Sequence, residues 1–381
     1  MSIPVPASKP RSGPLAGVRL IEMEAIGPVP LAAMILSDLG ADVVRVARPE
    51  AGYWGEIGSA ILLRGRTNVP LNLKDPNQRD RLLDLIDGAH ALIEGGRPGV
   101  MERLGIGPDV CLKRNPSLVY ARLTGWGQDG PLANCAGHDI TYLAMTGALH
   151  AIGEPGRPPA VPLNLVGDYG GGTMFAALGI VSALLQARAS GVGQVVDIAM
   201  IDGVATLLSL YHELLAGGRW RDERGVNFLD GGAPYYRCYA CADGRHVAVG
   251  ALEPAFFAQL LDGLSIPRDR YKQTDPVGWP RMFDDFAAAF ASAPREEWER
   301  RFSGTDACVA PVLSLVEAAE HPANRARNVF VNRNQVTQAA PAPRFSATPA
   351  SIGDDGTARI EELVERWCGA PQVQQCLKSD A

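Results

Sequence analysis

The chain has 381 residues, 46% of them hydrophobic and 20% charged, a composition suited to a globular protein of two domains or one large interleaved fold. A formal net charge of −6 gives no basic field for a nucleic-acid partner. The longest apolar run, Met174 to Leu185, falls short of the ~20 residues of a bilayer span, so no membrane partner is expected.

Residues 1–14 lack the apolar core of a signal peptide and read as a loose tail. The last residues, Lys378 to Ala381, are not the peroxisomal tripeptide. Seven cysteines, an odd number without a secretory signal, read as reduced thiols in a cytoplasmic protein. Cys238 and Cys241 form a C-x-x-C, but no second pair has zinc spacing, so packed thiols and no metal are expected.

Gly17 to Glu22 reads as a buried strand, Leu31 to Leu39 as a helix and Asp42 to Val46 as a second strand. This β-α-β unit predicts an α/β fold with a parallel sheet, whose ligands bind at the carboxyl ends of the strands. The turn at Gly27-Pro28 lies at such an end, but it is not the G-x-G-x-x-G dinucleotide fingerprint. Asn68 to Leu73 predicts another strand, Gln78 to Asp87 a helix, and Ala91 to Glu94 a third alternation. The glycine-rich turn after it, with Arg97, is a candidate anion site; a merely solvated arginine is the plainer alternative. Leu118 to Leu123 predicts a fourth buried strand.

The stretch Gly137 to Gly172 then places two ionisable side chains, His138 and Asp168, each beside a glycine and 30 residues apart. Tyr169 to Gln186 reads as a helix with Asp168 near its N-cap, where a carboxylate meets backbone N–H groups and the positive end of the dipole. Glycines there would let a ligand oxygen reach the backbone. One imidazole and one carboxylate can move a proton. Each residue alone has a plainer use, Asp168 as a cap and His138 as a hydrogen-bonded loop residue.

Gln194 to Ala199 is a strand and Asp202 to Leu215 a long helix leaving the first domain. From about Ala233 the pattern changes to a smaller α+β domain: a hairpin about Ala242-Asp243-Gly244, then helices at Pro254–Leu264, Trp279–Ala291, Arg295–Phe302 and Leu315–Glu320. Glu253 stands just before a helix, the ordinary place for a helix-start carboxylate. Ala339 to Ala350 reads as an extended connector and Ile360 to Trp367 as a terminal helix.

The segments SDLGADVVRVARP (37–49), RPGVMERLGIGPD (97–109), LTGWGQDGP (123–131), GHDITYL (137–143), PLNLVGDYGGG (162–172), GGAPYYRCY (231–239) and LEPAFF (252–257) together resemble the family III (CaiB/BaiF) CoA-transferases. The similarity lies in the branch of α-methylacyl-CoA racemases and spans about Gly13 to Phe345. It implies a Rossmann-like large CoA-binding domain at 15–200, a linker at 201–230, a small α+β domain at 231–330 and a return connector at 331–381 that completes the large domain. It also implies an interlocked homodimer. Its two bases correspond to His138 and Asp168, and Glu253 to the acid that hydrogen-bonds the histidine. Asn164 and Tyr142 match residues near the thioester. CoA contacts match Arg48, Leu71, Asn72, Leu73, Lys74, Gly95, Gly96, Arg97, Arg103, Gly137, Asp139, Ile140, Thr141 and Tyr142. Three positions depart from the pattern: Val29, where glycine is usual, Gly96, where an aromatic is common, and Asn72, where an acid is common.

The activity so implied is a 1,1-proton transfer at the α-carbon of a 2-methylacyl-CoA through an enolate. It needs no separate cofactor, CoA being part of the substrate. The Asp168 amide is the expected enolate donor. Two rivals remain: a CoA-transferase in which Asp168 attacks the thioester to form an acyl anhydride, and a CoA-thioester-binding protein without catalysis.

Overall fold

The computed structural model describes residues 11–50 and 58–369. Residues 1–10 of the expected tail 1–14, Cys376 and Lys378 to Ala381 lie outside the described residues, whereas Arg11 is held, its Nη1 donating to Ser37 Oγ at 2.9 Å and to the Ala41 carbonyl at 2.8 Å. The chain divides into two compact units. The first comprises residues up to Met145, Leu163–Leu207 and the chain from Phe330 onward; the second comprises Thr146–Pro162 and Leu208–Val329.

In chain order the first unit contributes β1 (Arg19–Met23), β2 (Asp42–Ala47), β3 (Arg66–Pro70), β4 (Ala91–Glu94), β5 (Val119–Thr124) and β6 (Gln194–Ala199). The second contributes β7 (Tyr236–Ala240), β8 (His246–Gly250) and β9 (Val309–Pro311). The returning chain adds β10 (Phe330–Arg333), β11 (Val336–Ala339) and β12 (Gly356–Thr357).

Seven of these strands form one parallel sheet in the order β12-β3-β2-β1-β4-β5-β6. Successive residues of each central strand point to opposite cores. Leu20, Val43, Ile93 and Ala121 pack on one side, against the helix Pro28–Asp38 and the helix Met174–Ser190. Ile21, Val44, Leu92 and Tyr120 pack on the other, against Leu82, Leu85 and Ile86 and the terminal-helix residues Ile360, Leu363 and Trp367. Burial on both faces explains why these strands read as continuous apolar runs. The strand order reverses between β1 and β4, which makes their carboxyl ends the crevice of the sheet.

Local chemistry moves several boundaries. The first helix begins at Pro28 rather than Leu31, because proline is tolerated in a first turn and Gly27 supplies the left-handed φ of 70° before it. The segment around Asp168 is a π-helix, Leu165–Thr173, that runs directly into the α-helix Met174–Ser190. Asp168 therefore lies within helical structure, and Asn164 holds the N-cap position instead. Together the two make a helix of 26 residues, long and apolar enough by length and composition to cross a membrane. Its Ala176, Ile180, Ala183, Leu184 and Ala187 are packed into the core of the first unit. The expected single helix Asp202–Leu215 is two, Met200–Leu207 and Ser209–Ala216, broken at Leu208 where the chain passes between units.

In the second unit β7 and β8 form the expected hairpin, and β9 pairs antiparallel with β8. Tyr239, Phe257, Phe286, Phe290, Trp298 and Phe302 fill its core. Thr146–Pro162, read from the sequence as large-domain chain, belongs here. Arg224 explains it: Nη1 donates to the His150 carbonyl at 2.8 Å and Nε to the Arg157 carbonyl at 3.2 Å.

Candidate active site

Five strands of the sheet deliver loops to the same edge. After β1 comes the Gly27 turn, after β2 Arg48, after β3 the run Leu71–Lys74, after β4 the Gly95–Arg97 turn, and after β5 the loop Gly125–Gln128. Within the first unit, a cavity of about 340 Å³ is lined by the Ile26–Val29 turn, Gly95, Arg97, Trp126, Cys135, His138, Tyr142, Asp168 and Met200, among others. The two ionisable residues singled out in the sequence thus line one cavity.

His138 immediately precedes the helix Asp139–Thr146. Its N–H donates to Thr141 Oγ1 at 3.0 Å, the Thr141 hydroxyl donates to the His138 carbonyl at 2.7 Å, and Tyr142 N–H donates to the same carbonyl at 3.3 Å. That is N-cap geometry, in which the backbone is fixed and the imidazole remains free to face the cavity. The N–H groups of Asp139 and Ile140, in the first turn, have no acceptor among the described residues, as helix starts require.

Asp168 is half-buried, and its carboxylate accepts a bond of 3.4 Å from the Asn164 amide. Burial is the strongest influence on it and lifts its carboxyl above the usual carboxylate range. The Asn164 bond opposes that, the Asp139 charge adds to it, and His138 opposes it.

The amide of Asp168 is already committed. It donates to Asp139 Oδ2 at 2.8 Å, and the Gly167 amide donates to the same oxygen at 2.7 Å. Asp168 therefore has no free N–H for an enolate, which overturns the expectation built on an N-cap there. Gly167 permits this approach, since a Cβ on it would stand 2.6 Å from Asp139 Oδ2. Within the triple glycine that follows, Gly171 is closely packed. A Cβ on Gly171 would stand 2.8 Å from the Met200 carbonyl oxygen, so that residue serves close packing against the helix Met200–Leu207.

Tyr142 forms the cavity wall with Trp126, the rings meeting edge to face with centroids 4.9 Å apart. Its phenol is pushed up to about 12 by burial, then by the charges of Asp168 and Asp139. It stays protonated at neutral pH.

The remaining residues spread along the edge of the sheet. Arg48 donates through Nε to Glu24 at 3.0 Å, and its side chain is 71% exposed, leaving both Nη groups to solvent. Leu71 is buried in the core, so only its backbone is at the strand end. Asn72, Leu73 and Lys74 form a turn held by the bond from Asn72 N–H to Gln78 Oε1 at 2.8 Å. In the Gly95–Arg97 turn, the Gly96 amide is taken by the fully buried Glu94 at 2.6 Å, so an anion there would meet the exposed Arg97 side chain rather than a backbone cradle. Arg103 is exposed one turn further on. Gly137 leaves room for the Tyr142 ring, which would lie 2.5 Å from a Cβ there. Ile140 and Thr141 are exposed beside His138, whereas the Asp139 carboxylate is buried and only its N–H is open.

Glu253 belongs to the second unit, where it is exposed at the N-cap of the helix Pro254–Gly263 without capping it through its side chain. The sequence reading passed over the Asp139 carboxylate, Trp126, Cys135 and Met200. For Asp139 a signal was present: each of the two acids at 139 and 168 lies within two residues of a glycine, the mark of close backbone approach.

The chain matches CoA-transferase family III over residues 15–356. It is 45% identical over 338 residues to alpha-methylacyl-CoA racemase of Mus musculus, covering 88% of this chain and 87% of that protein. It is 42% identical to the Homo sapiens protein of the same name, with the same coverage. A crystal structure of a CaiB/BaiF family protein from Brucella suis superposes with a TM-score of 0.78 over 93% of this chain and 99% of that chain, at 22% identity, a likeness of fold.

Proposed function

The chain belongs to CoA-transferase family III, and from that membership we propose that it is an isomerase acting on 2-methylacyl-CoA thioesters, inverting the α-carbon by proton transfer. The observation that carries the reading is the convergence of His138, at the start of one helix, and Asp168, inside another, on one cavity. The relatives named alpha-methylacyl-CoA racemase support it.

The α-hydrogen of a thioester is much less acidic than the conjugate acid of either base, so the enolate must be stabilised as it forms. With the Asp168 amide occupied, that task passes to the open N–H groups of Asp139 and Ile140 at the first turn of the His138 helix. His138 serves one face of the planar enolate and Asp168 the other. One takes the proton and the other, protonated, returns a proton to the opposite face. The raised carboxyl of Asp168 suits it to both tasks. To Glu253 the reading assigns the orientation of the imidazole. Both transfers fall to side chains of the protein, so the reading calls for no separate cofactor.

Arg48, Lys74, Arg97 and Arg103, along the same edge, receive the nucleotide and phosphates of CoA. Binding energy from that remote part holds the α-carbon between the bases. We assign the active form as a homodimer. In support, Met174, Leu178, Val181 and Leu185 recur at helical spacing on one side of the long helix and remain exposed in the single chain.

Deuterium wash-in at the α-carbon tests the proposal. Exchange of a 2-methylacyl-CoA in D2O without any CoA acceptor supports it. A requirement for an acceptor acid would support the transferase, in which Asp168 attacks the thioester.

A further inference from the structure

Asp139 is 6% exposed, and its carboxylate is arranged unevenly. Oδ2 accepts two amide bonds, from Gly167 at 2.7 Å and Asp168 at 2.8 Å. Oδ1 is buried and has no hydrogen-bond partner among the described residues. A buried carboxylate left half-unsatisfied costs stability, while its other oxygen satisfies the Gly167 and Asp168 amides.

We infer that Asp139 is a positioning residue that ties the helix carrying His138 to the π-helical turn carrying Asp168, fixing the two bases relative to each other and placing a negative charge beside the second. The inference rests on the proposed role of Asp168 as a base. Asp139 is next to His138 in sequence, and its bonded partner is the backbone of Asp168 itself. One carboxylate thus links the two bases by a covalent neighbour on one side and a hydrogen bond on the other. Glycine at 167, with no Cβ, admits it, since a Cβ there would stand 2.6 Å from Asp139 Oδ2.

The charge has a consequence for acidity. In the first unit Asp168 is faced by His138, Asp139 and Tyr142 from one helix and by Asn164 from its own turn. Asp139 is the anionic member of that set and opposes ionisation of Asp168. It helps keep Asp168 able to give a proton as well as take one.

The uneven bonding also supplies the probe. Both bonds go to one oxygen, so Asp139→Asn with its carbonyl in that place keeps both and removes only the charge. Asp139→Ala removes both bonds and the charge. The experiment uses the full chain labelled with carboxyl-¹³C aspartate, the Asp168 resonance being assigned from Asp168→Asn. Its titration, the exchange protection of the Gly167 and Asp168 amides, and the pH dependence of α-proton exchange are measured for each variant.

In Asp139→Asn the Asp168 midpoint moves to lower pH while both amides stay protected. The acid limb of kcat, in the direction where Asp168 takes the proton, moves to lower pH with it. In Asp139→Ala the protection is lost and kcat falls by roughly 10- to 150-fold, the worth of a lost hydrogen bond to a charged group. An Asp168 midpoint unmoved in Asp139→Asn would overturn the inference, as would wild-type kcat and protection in Asp139→Ala. Should the alanine variant fail to fold, the asparagine variant decides alone. The carboxyl titration needs no substrate, so it decides the inference even if wild-type protein shows no α-proton exchange and the isomerase reading fails.

Discussion

Asp139 Oδ2 lies 2.8 Å from the backbone nitrogen of Asp168, so two acids 29 residues apart meet through one main-chain bond. The bond occupies the Asp168 N–H, which is therefore not open to a ligand. It leaves the first turn of the helix after His138 as the open set of donors, beside one of the proposed bases. Donor and base are then positioned by one rigid segment, which suits a reaction in which charge develops on oxygen as the proton leaves carbon.

His138→Ala is expected to impair exchange of one enantiomer far more than of the other, because the proposed mechanism gives each face its own base. Loss of a general base costs about 10²–10⁴-fold. Exchange rates for the separate (R) and (S) thioesters in D2O measure it. Wild-type rates for both enantiomers would remove His138 from the chemistry.

Arg48→Ala should weaken CoA thioesters by roughly 10- to 150-fold and leave a truncated pantetheine thioester nearly unaffected, as expected for a lost charge-assisted bond to phosphate. Arg48 is braced by Glu24 through Nε while its other donors face solvent. Comparing apparent affinities for the two ligands is the check. An equal loss for both would place Arg48 at the shared thioester end or in folding alone.

Glu253→Gln is expected to lower kcat while leaving CoA affinity close to wild type. The carboxylate is exposed and does not cap its own helix through its side chain, so little stability rides on it. A thermal melt alongside the kinetics separates the two effects. Unchanged kinetics would take Glu253 out of the mechanism.

Leu178→Glu with Leu185→Glu should abolish the proposed dimer. Both side chains are exposed on one side of the long helix, 63% and 72%, and a buried leucine contributes about 1.5–3 kcal/mol. Light scattering would show the mass halve and activity fall with it. An active wild-type monomer would overturn the dimer assignment.

Much of the first unit was legible because its central strands are buried on both faces and its helices are bounded by proline and glycine. β4 coincides with the run Ala91–Glu94 that the sequence marks, and β6 with Gln194–Ala199. The pair His138 and Asp168 was visible from residue type and flanking glycine. What escaped depends on contacts rather than period. A π-helix has no distinct apolar pattern, so Asp168 read as a cap when it lies inside a turn. The triple glycine read as a ligand approach when Gly171 serves helix packing. Thr146–Pro162 looked like a loop of the large domain because the bonds that hold it come from Arg224, 67 or more residues later. The pairing of Asp139 with the Asp168 amide is likewise a tertiary fact.

The two-base claim is tested most directly by following one enantiomer of a 2-methylacyl-CoA through its first turnovers in D2O, with chiral separation and mass spectrometry of both pools. The account predicts that the inverted product carries one α-deuterium while the recovered substrate remains unlabelled, since the proton is taken from one face and replaced on the other. Equal early labelling of substrate and product would mean that one base serves both faces, and would contradict it.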